Sequence, residues 1–444
     1  MDIQELNWLR SNSHKLDKEL RGEVVNLYRS VSKIPCFLQK IYQWYQNKFR
    51  KVHVIVKSAP LRGEESRTQL ESLLARHSKR IETLELIDGY SARLSVKAIK
   101  ELAGSSLVSK IYLDREVRAL LDVAVPTVKS NQLWNQGYTG KGVTIAVLDT
   151  GIYPHPDFLE PVNRIIDFVD LINNKNTKPY DDNGHGTHCA GAAAGNGYAS
   201  SGKYRGPAFQ ANLIGIKILN KIGSGKASQV IKGLEWCLNN KEKYNIKIVS
   251  LSLGYKATES YREDPVCQAV GKLWQSGIVV CAAAGNDGPE TKTINSPGIH
   301  QDIITVGASD DLNTPQLFDD KVADFSSRGP TIDGLTKPDV LAPGTNIISA
   351  KAKGSFLDKT NKDKNVIDDW YISLSGTSMA TPVCAGIIAQ LLEAQPYLTP
   401  EEVKLRLKSS CSRVTSVDAN TQGEGLVNAV KALEPESVTK DLTS

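Results

Sequence analysis

The chain has 444 residues, 40% hydrophobic and 23% charged, with a formal net charge of +5. That length supports a large core and more than one structural unit, and the balance is that of an ordinary globular protein rather than a disordered polymer. Residues 1–122 hold 22 Lys and Arg against 15 Asp and Glu, yet no block is dense enough for a nucleic-acid partner.

The first twenty residues are charged throughout and lack the apolar core of a secretory signal. No uninterrupted apolar stretch is long enough to span a bilayer. Seven scattered cysteines, with no C-x-x-C pair, suit a reducing compartment better than a disulfide scaffold. A cytoplasmic location without a membrane partner is therefore expected.

Residues 1–50 read as a helical extension. Leu6, Leu9, Leu16, Leu20, Val24, Leu27 and Val31 recur mostly at three- and four-residue spacings until Pro35, and an aromatic packing face follows around 41–45. Residues 51–122 predict a small α+β unit: a strand at 52–57, a helix at 64–78, strands near 81–86 and 90–94 with Asp88 and Gly89 as the turn, a helix at 96–103 and a strand at 108–114. The order βαββαβ is a known split-βαβ arrangement. A connector over 114–126 ends at Pro126.

Between 127 and 433 the pattern changes. Apolar runs at 143–148, 212–219, 246–253, 277–284 and 302–308 alternate with helical segments, which predicts an α/β unit with a parallel sheet and helices on both faces. A polar loop over 351–370 precedes a long apolar helix, and 434–444 reads as a flexible tail.

In open parallel sheets chemistry collects beyond the C-terminal strand ends. The first run ends in Asp149-Thr150-Gly151, and the fourth in Gly285-Asn286-Asp287-Gly288. HGTHCAG begins at His185, and LSGTSMATP places Ser378 at the mouth of the long helix. A serine hydroxyl needs a base to become a nucleophile, and a histidine base needs a carboxylate to fix its tautomer. The oxyanion needs donors, which the Ser378 N–H and the Asn286 amide could supply. Ser375 reads as the helix cap and Gly376 as room for a tight turn. Each residue alone has a bland reading, but the set fits one mechanism. His185 and His188 lack the further ligand of a zinc site, Cys189 sits in a buried-helix setting, and GSGKAS lacks the spacing of a phosphate loop.

DTGI, HGTHCAG, AAAGND and SGTSMATP, in the order Asp, His, Ser, resemble the subtilisin-like serine protease family (peptidase S8), and its bacterial intracellular-type members in particular. The resemblance implies a serine endopeptidase with Asp149, His185 and Ser378 as the triad and Asn286 in the oxyanion hole. It implies protein and peptide substrates held as an added strand by Ser224 and Gly225 on one side and Ser252, Leu253 and Gly254 on the other. Ala283, Ala284 and Gly285, with Asn295, would line a roomy first pocket preferring large apolar side chains. Asp181 and Asp182 would favour a basic residue near the cut. The βαββαβ unit resembles an inhibitory propeptide, so a self-inhibited precursor cut somewhere in 115–127 is expected, acting as a monomer. No cofactor is required for the chemistry. Structural calcium is expected at carbonyls of Pro297 and Ile299 with Asp310, whereas the loop after the histidine helix, carrying Lys203 and Arg205, is a poor partner for Asp157. The rival reading is a non-catalytic binder whose groove is permanently filled by residues 1–126.

Overall fold

The valines of 51–58 alternate in a strand whose centre, Val54, Ile55 and Val56, is buried on both faces. In the computed structural model, which describes residues 8, 11–17, 20–22, 24–25, 51–59, 64–78, 80–114, 116–119, 127–173, 178–312, 320–361, 365–414 and 417–434, the chain forms two compact units, 1–115 and 116–444. In the first, β1 (Lys51–Ser58), α1 (Glu64–Ala75), β2 (Ile81–Leu84), β3 (Gly89–Ser95), α2 (Val96–Gly104) and β4 (Val108–Leu113) follow one another. The antiparallel sheet has the order β2-β3-β1-β4.

Val54 and Val56 of β1 join Leu70 and Leu74 of α1 and Ile99 and Leu102 of α2 in one core. Ser95 caps α2, its Oγ accepting from Ala98 N at 3.3 Å. The strand expected to reach residue 86 stops at Leu84, because residues 85–87 turn to bury Leu86 and Ile87. Leu16, Leu20 and Val24 of the expected N-terminal stripe complete this core. The aromatic face at 41–45, the connector residues 120–126 and the tail after 434 lie outside the described residues.

In the second unit, β5 (Glu116–Ala119) is followed by β6 (Thr144–Asp149), β7 (Ile165–Asp170), α3 (His185–Ala194), β8 (Asn212–Lys217), β9 (Ser224–Lys226), α4 (Ala227–Asn239), β10 (Ile246–Leu251), β11 (Leu253–Lys256), α5 (Pro265–Gln275), β12 (Val279–Ala283), β13 (Asn295–Ser296), β14 (Ile304–Asp310), β15 (Lys321–Val322), β16 (Val340–Pro343), β17 (Ile347–Ala350), β18 (Tyr371–Leu374), α6 (Thr377–Ala394) and α7 (Pro400–Ser410). The main sheet runs β15-β14-β12-β10-β6-β8-β7, with β16 also paired to β14. All its pairings are parallel except β14–β15. Strand order reverses at β6, whose neighbours β8 and β10 carry the chain in opposite directions, so a crevice is expected beyond its C-terminal end. Asp149 is the last residue of β6.

The sheet is flanked by helices: α3 packs on α6, and α4 on α5. Helix α6 is buried from Thr377 to Leu392. An apolar circumference of this kind marks a central helix. Among the described residues no helix is long and apolar enough to cross a membrane.

Candidate active site

Helix α3 starts at His185 and lies hard against the turn that follows Asp149. A Cβ on Gly186 would stand 2.2 Å from the Gly151 carbonyl, so only glycine permits the approach. His185 Nδ1 then lies 2.8 and 2.9 Å from the two Asp149 carboxylate oxygens, with both residues fully buried. Burial alone would push the imidazole pKa down, but the Asp149 charge and hydrogen bond, together with Cys189, hold it well above its ordinary value.

Asp181 fixes this geometry from behind. Its Oδ1 accepts from Thr150 Oγ1 at 2.9 Å, Asn183 N at 3.0 Å and Gly184 N at 2.8 Å. Its Oδ2 accepts from Thr187 N at 2.9 Å and Thr187 Oγ1 at 2.7 Å. Thr150 Oγ1 in turn accepts from Gly186 N at 2.9 Å. One carboxylate thus ties the Asp149 turn to the first turn of α3. Asp182 pairs with the buried Lys217 at 2.6 Å. The expectation that Asp181 and Asp182 attract a basic substrate residue is therefore corrected: Asp181 is buried and satisfied, and the Asp182 charge is already paired. Asp181→Asn is expected to lower kcat by about 10²-fold with little change in KM, since small misplacements of reacting groups are that costly. Steady-state kinetics check this, and an unchanged kcat would remove the positioning role.

Ser378 is the second residue of α6. Its Oγ donates to Ser252 O at 3.1 Å. Pro382 lies within α6, beyond its first turn. It has no N–H to give the carbonyl four residues back, which is that of Ser378. That freed carbonyl accepts instead from Ser252 Oγ at 2.6 Å and Cys189 Sγ at 3.5 Å. Cys189 Sγ is also 3.8 Å from His185 Nδ1, so the thiol bridges the elements that carry His185 and Ser378. Burial raises its pKa, as expected for a packed thiol. His188 contributes packing: Nε2 lies 3.1 Å from Ile347 O, and burial pushes its pKa down to about 3. Ser375 does not cap α6, because Gly376 occupies that position at φ 154°; Ser375 Oγ accepts from Asn346 N instead, at 3.1 Å.

Thr377, legible in sequence only as packing, orients Asn286. Asn286 Oδ1 accepts from Thr377 N at 2.9 Å and Thr377 Oγ1 at 3.0 Å. Its carbonyl oxygen is thereby committed, which leaves the Nδ2 protons to serve an external oxygen. Asn286→Ala is expected to cost about 10²–10³ in kcat, the magnitude seen for the oxyanion-hole asparagine of subtilisin. Thr377→Val, which deletes one orienting bond, should cost less, and kcat for both variants against one peptide substrate checks the order.

A second sheet of the catalytic unit has the order β13-β11-β5-β9. Strand β5 sits antiparallel between β9 and β11, with Arg118 opposite both Ser224 and Gly254, Val117 opposite Gly225 and Ala119 opposite Leu253. Ser252 lies one residue beyond that pairing. Ala283 and Ala284 are fully buried, and Ala284 packs with Cys267, Ile294 and Ile299. Asn295 N donates to Ala284 O at 2.8 Å, and its Nδ2 to Asp287 Oδ2 at 3.0 Å, beside Gly285.

Residues 140–428 match the model of the subtilase family. The chain belongs to that family. It is 48% identical to serine protease AprX of Bacillus subtilis over 95% of this chain and 96% of that protein. It is 33% identical to subtilisin E of the same organism over 78% of this chain and 81% of that protein. A thermostable alkaline protease of Halalkalibacterium halodurans is 32% identical over 80% of this chain and 85% of its own length. As a subtilase the chain is a subtilisin-like serine endopeptidase acting on proteins, and its chemistry needs no cofactor.

Calcium fits neither the Asp157 loop, where it was not expected, nor the Pro297–Asp310 place, where it was. Asp157 is spent on Tyr371 Oη at 2.9 Å, Gly197 N at 3.2 Å and Ala199 N at 3.0 Å. The Pro297, Ile299 and Asp310 site is corrected. Thr305 Oγ1 donates to Gly298 O at 2.6 Å, so that segment lies at the start of β14, while Asp310 ends the strand. Five strand residues span about 17 Å, against calcium–oxygen distances of about 2.3–2.6 Å. Asp310 faces Lys321 at 3.6 Å. Among the described residues, the His, Cys and carboxylate atoms close enough to share an ion are those of Asp149, His185 and Cys189.

Proposed function

We propose that Ser378, His185 and Asp149 cut peptide bonds by nucleophilic catalysis, in a chain made as its own inhibited precursor. The pairing of β5 with both β9 and β11 supports this reading, because an extended peptide taking the place of β5 would meet a backbone edge on each side. Substrate enters as that middle strand. Its backbone competes for the Ser252 carbonyl, which releases the Ser378 hydroxyl toward His185. His185 takes the proton, Asp149 stabilises the resulting imidazolium, and the Ser378 N–H with Asn286 Nδ2 receives the oxyanion. His185 then protonates the leaving amine, and water repeats the sequence to free the acid.

Residues 51–122 act as the inhibitory segment and 116–119 as its blocking strand, with self-cleavage after Ala119 and before about residue 127. Small residues at 283–285 favour large apolar side chains before the cut. The mature enzyme works as a monomer in the cytoplasm. N-terminal sequencing of protein matured from the purified precursor, with hydrolysis of a synthetic peptide ending in Phe measured in parallel, tests the reading. A full-length chain that hydrolyses the peptide without being cut would overturn the precursor model, and a matured chain that rejects Phe would overturn the specificity.

A further inference from the structure

We propose that the ammonium of Lys404 is the built-in cation of an oxygen cage in the catalytic unit, occupying the position a metal ion would otherwise take. The carbonyl oxygens of Gln301, Asp302 and Ile303 lie 2.8, 2.9 and 3.2 Å from Lys404 Nζ. Asp339 Oδ1 completes the set at 3.2 Å. Three consecutive carbonyls and a carboxylate converging on one point are the donor set of a hard cation.

The carbonyls are free to converge because residues 301–303 form a bend outside any helix or strand ladder. Lys404 reaches them from α7, a different part of the sequence. Lys337 supplies a second ammonium, its Nζ 2.9 Å from Ile303 O and 2.5 Å from Asp339 Oδ2. Two ammoniums face one carboxylate, so the cage is already over-neutralised and repels a further cation. Asp339 Oδ2 also accepts from Thr305 N at 2.8 Å, which joins the cage to the start of β14. The segment held this way leads back to Asn295, beside Gly285. The carboxylate that serves residues 301–303 is thus Asp339, and Lys404 is a counter-ion to it.

The test uses the full-length chain in a Ser378→Ala background, which prevents self-digestion. Melting is followed in chelator with choline chloride, and again with KCl or CaCl2 at matched ionic strength. Removing one partner of a buried ion pair should lower the melting temperature of Lys404→Ala by about 10 °C. Potassium or calcium should recover part of that loss, choline none, and the parent should show no such response. If Lys404→Ala folds only with added cation, the proposal is supported. If it folds in no condition, Lys404→Gln decides, since its amide still donates to carbonyls and should give a smaller loss with a smaller cation response. A variant that melts with the parent, a loss that neither cation recovers, or a parent sharing the variant's response overturns it.

Discussion

Replacing Ser378 with alanine is expected to lower kcat by about 10⁶, again a subtilisin magnitude, and to leave the chain at full length. The local fold should survive, because the Oγ makes one bond, to Ser252 O, while the Ser378 carbonyl keeps its bonds from Ser252 Oγ and Cys189. An unchanged melting temperature with lost activity would separate chemistry from structure. A serine-directed fluorophosphonate should label the wild-type chain at Ser378 and leave the variant unlabelled. If the pure variant still matured and still hydrolysed peptide, the nucleophile would lie elsewhere. Labelling also decides against a non-catalytic scaffold, which would not react.

Asp149→Asn should cost about 10⁴ in kcat, because an amide can present an N–H to His185 and stabilise the wrong tautomer. The pH profile carries the sharper test. Catalysis needs neutral His185, and burial opposes its charge while Asp149 favours it, with the balance well above the ordinary histidine value. Activity should therefore rise with pH through that elevated pKa. Without the Asp149 charge, burial dominates and the pKa falls, so the acid limb of kcat/KM moves to lower pH. A limb that stays in place would mean that another group sets it.

The proposed reactive groups were legible because each is announced locally. A strand end carries Asp149, a glycine-rich helix start carries His185, and the mouth of an apolar helix carries Ser378. The supporting bonds were not, since they depend on contacts distant in sequence. Asp181 reads like any loop aspartate until Thr150 and Thr187 are folded onto it. Thr377 gains meaning only from Asn286, 91 positions away. Asp310 and Asp339 both stand at strand ends, and nothing local says which serves residues 301–303. Ser375 looked the better cap on propensity, but the geometry at that turn required glycine at 376.

Strand β5 is covalently part of the chain whose β9 and β11 it joins. As the proposed blocking strand it would compete with substrate, before any cut, at an effective concentration set by the linker, of order millimolar for short flexible tethers, which dilution cannot weaken. Once severed, the same strand becomes a free product whose occupancy falls with dilution. In the proposed precursor, a single hydrolysis would therefore convert a concentration-independent block into a concentration-dependent one. Onset of activity should accordingly lag behind cleavage at high protein concentration and coincide with it when the protein is dilute.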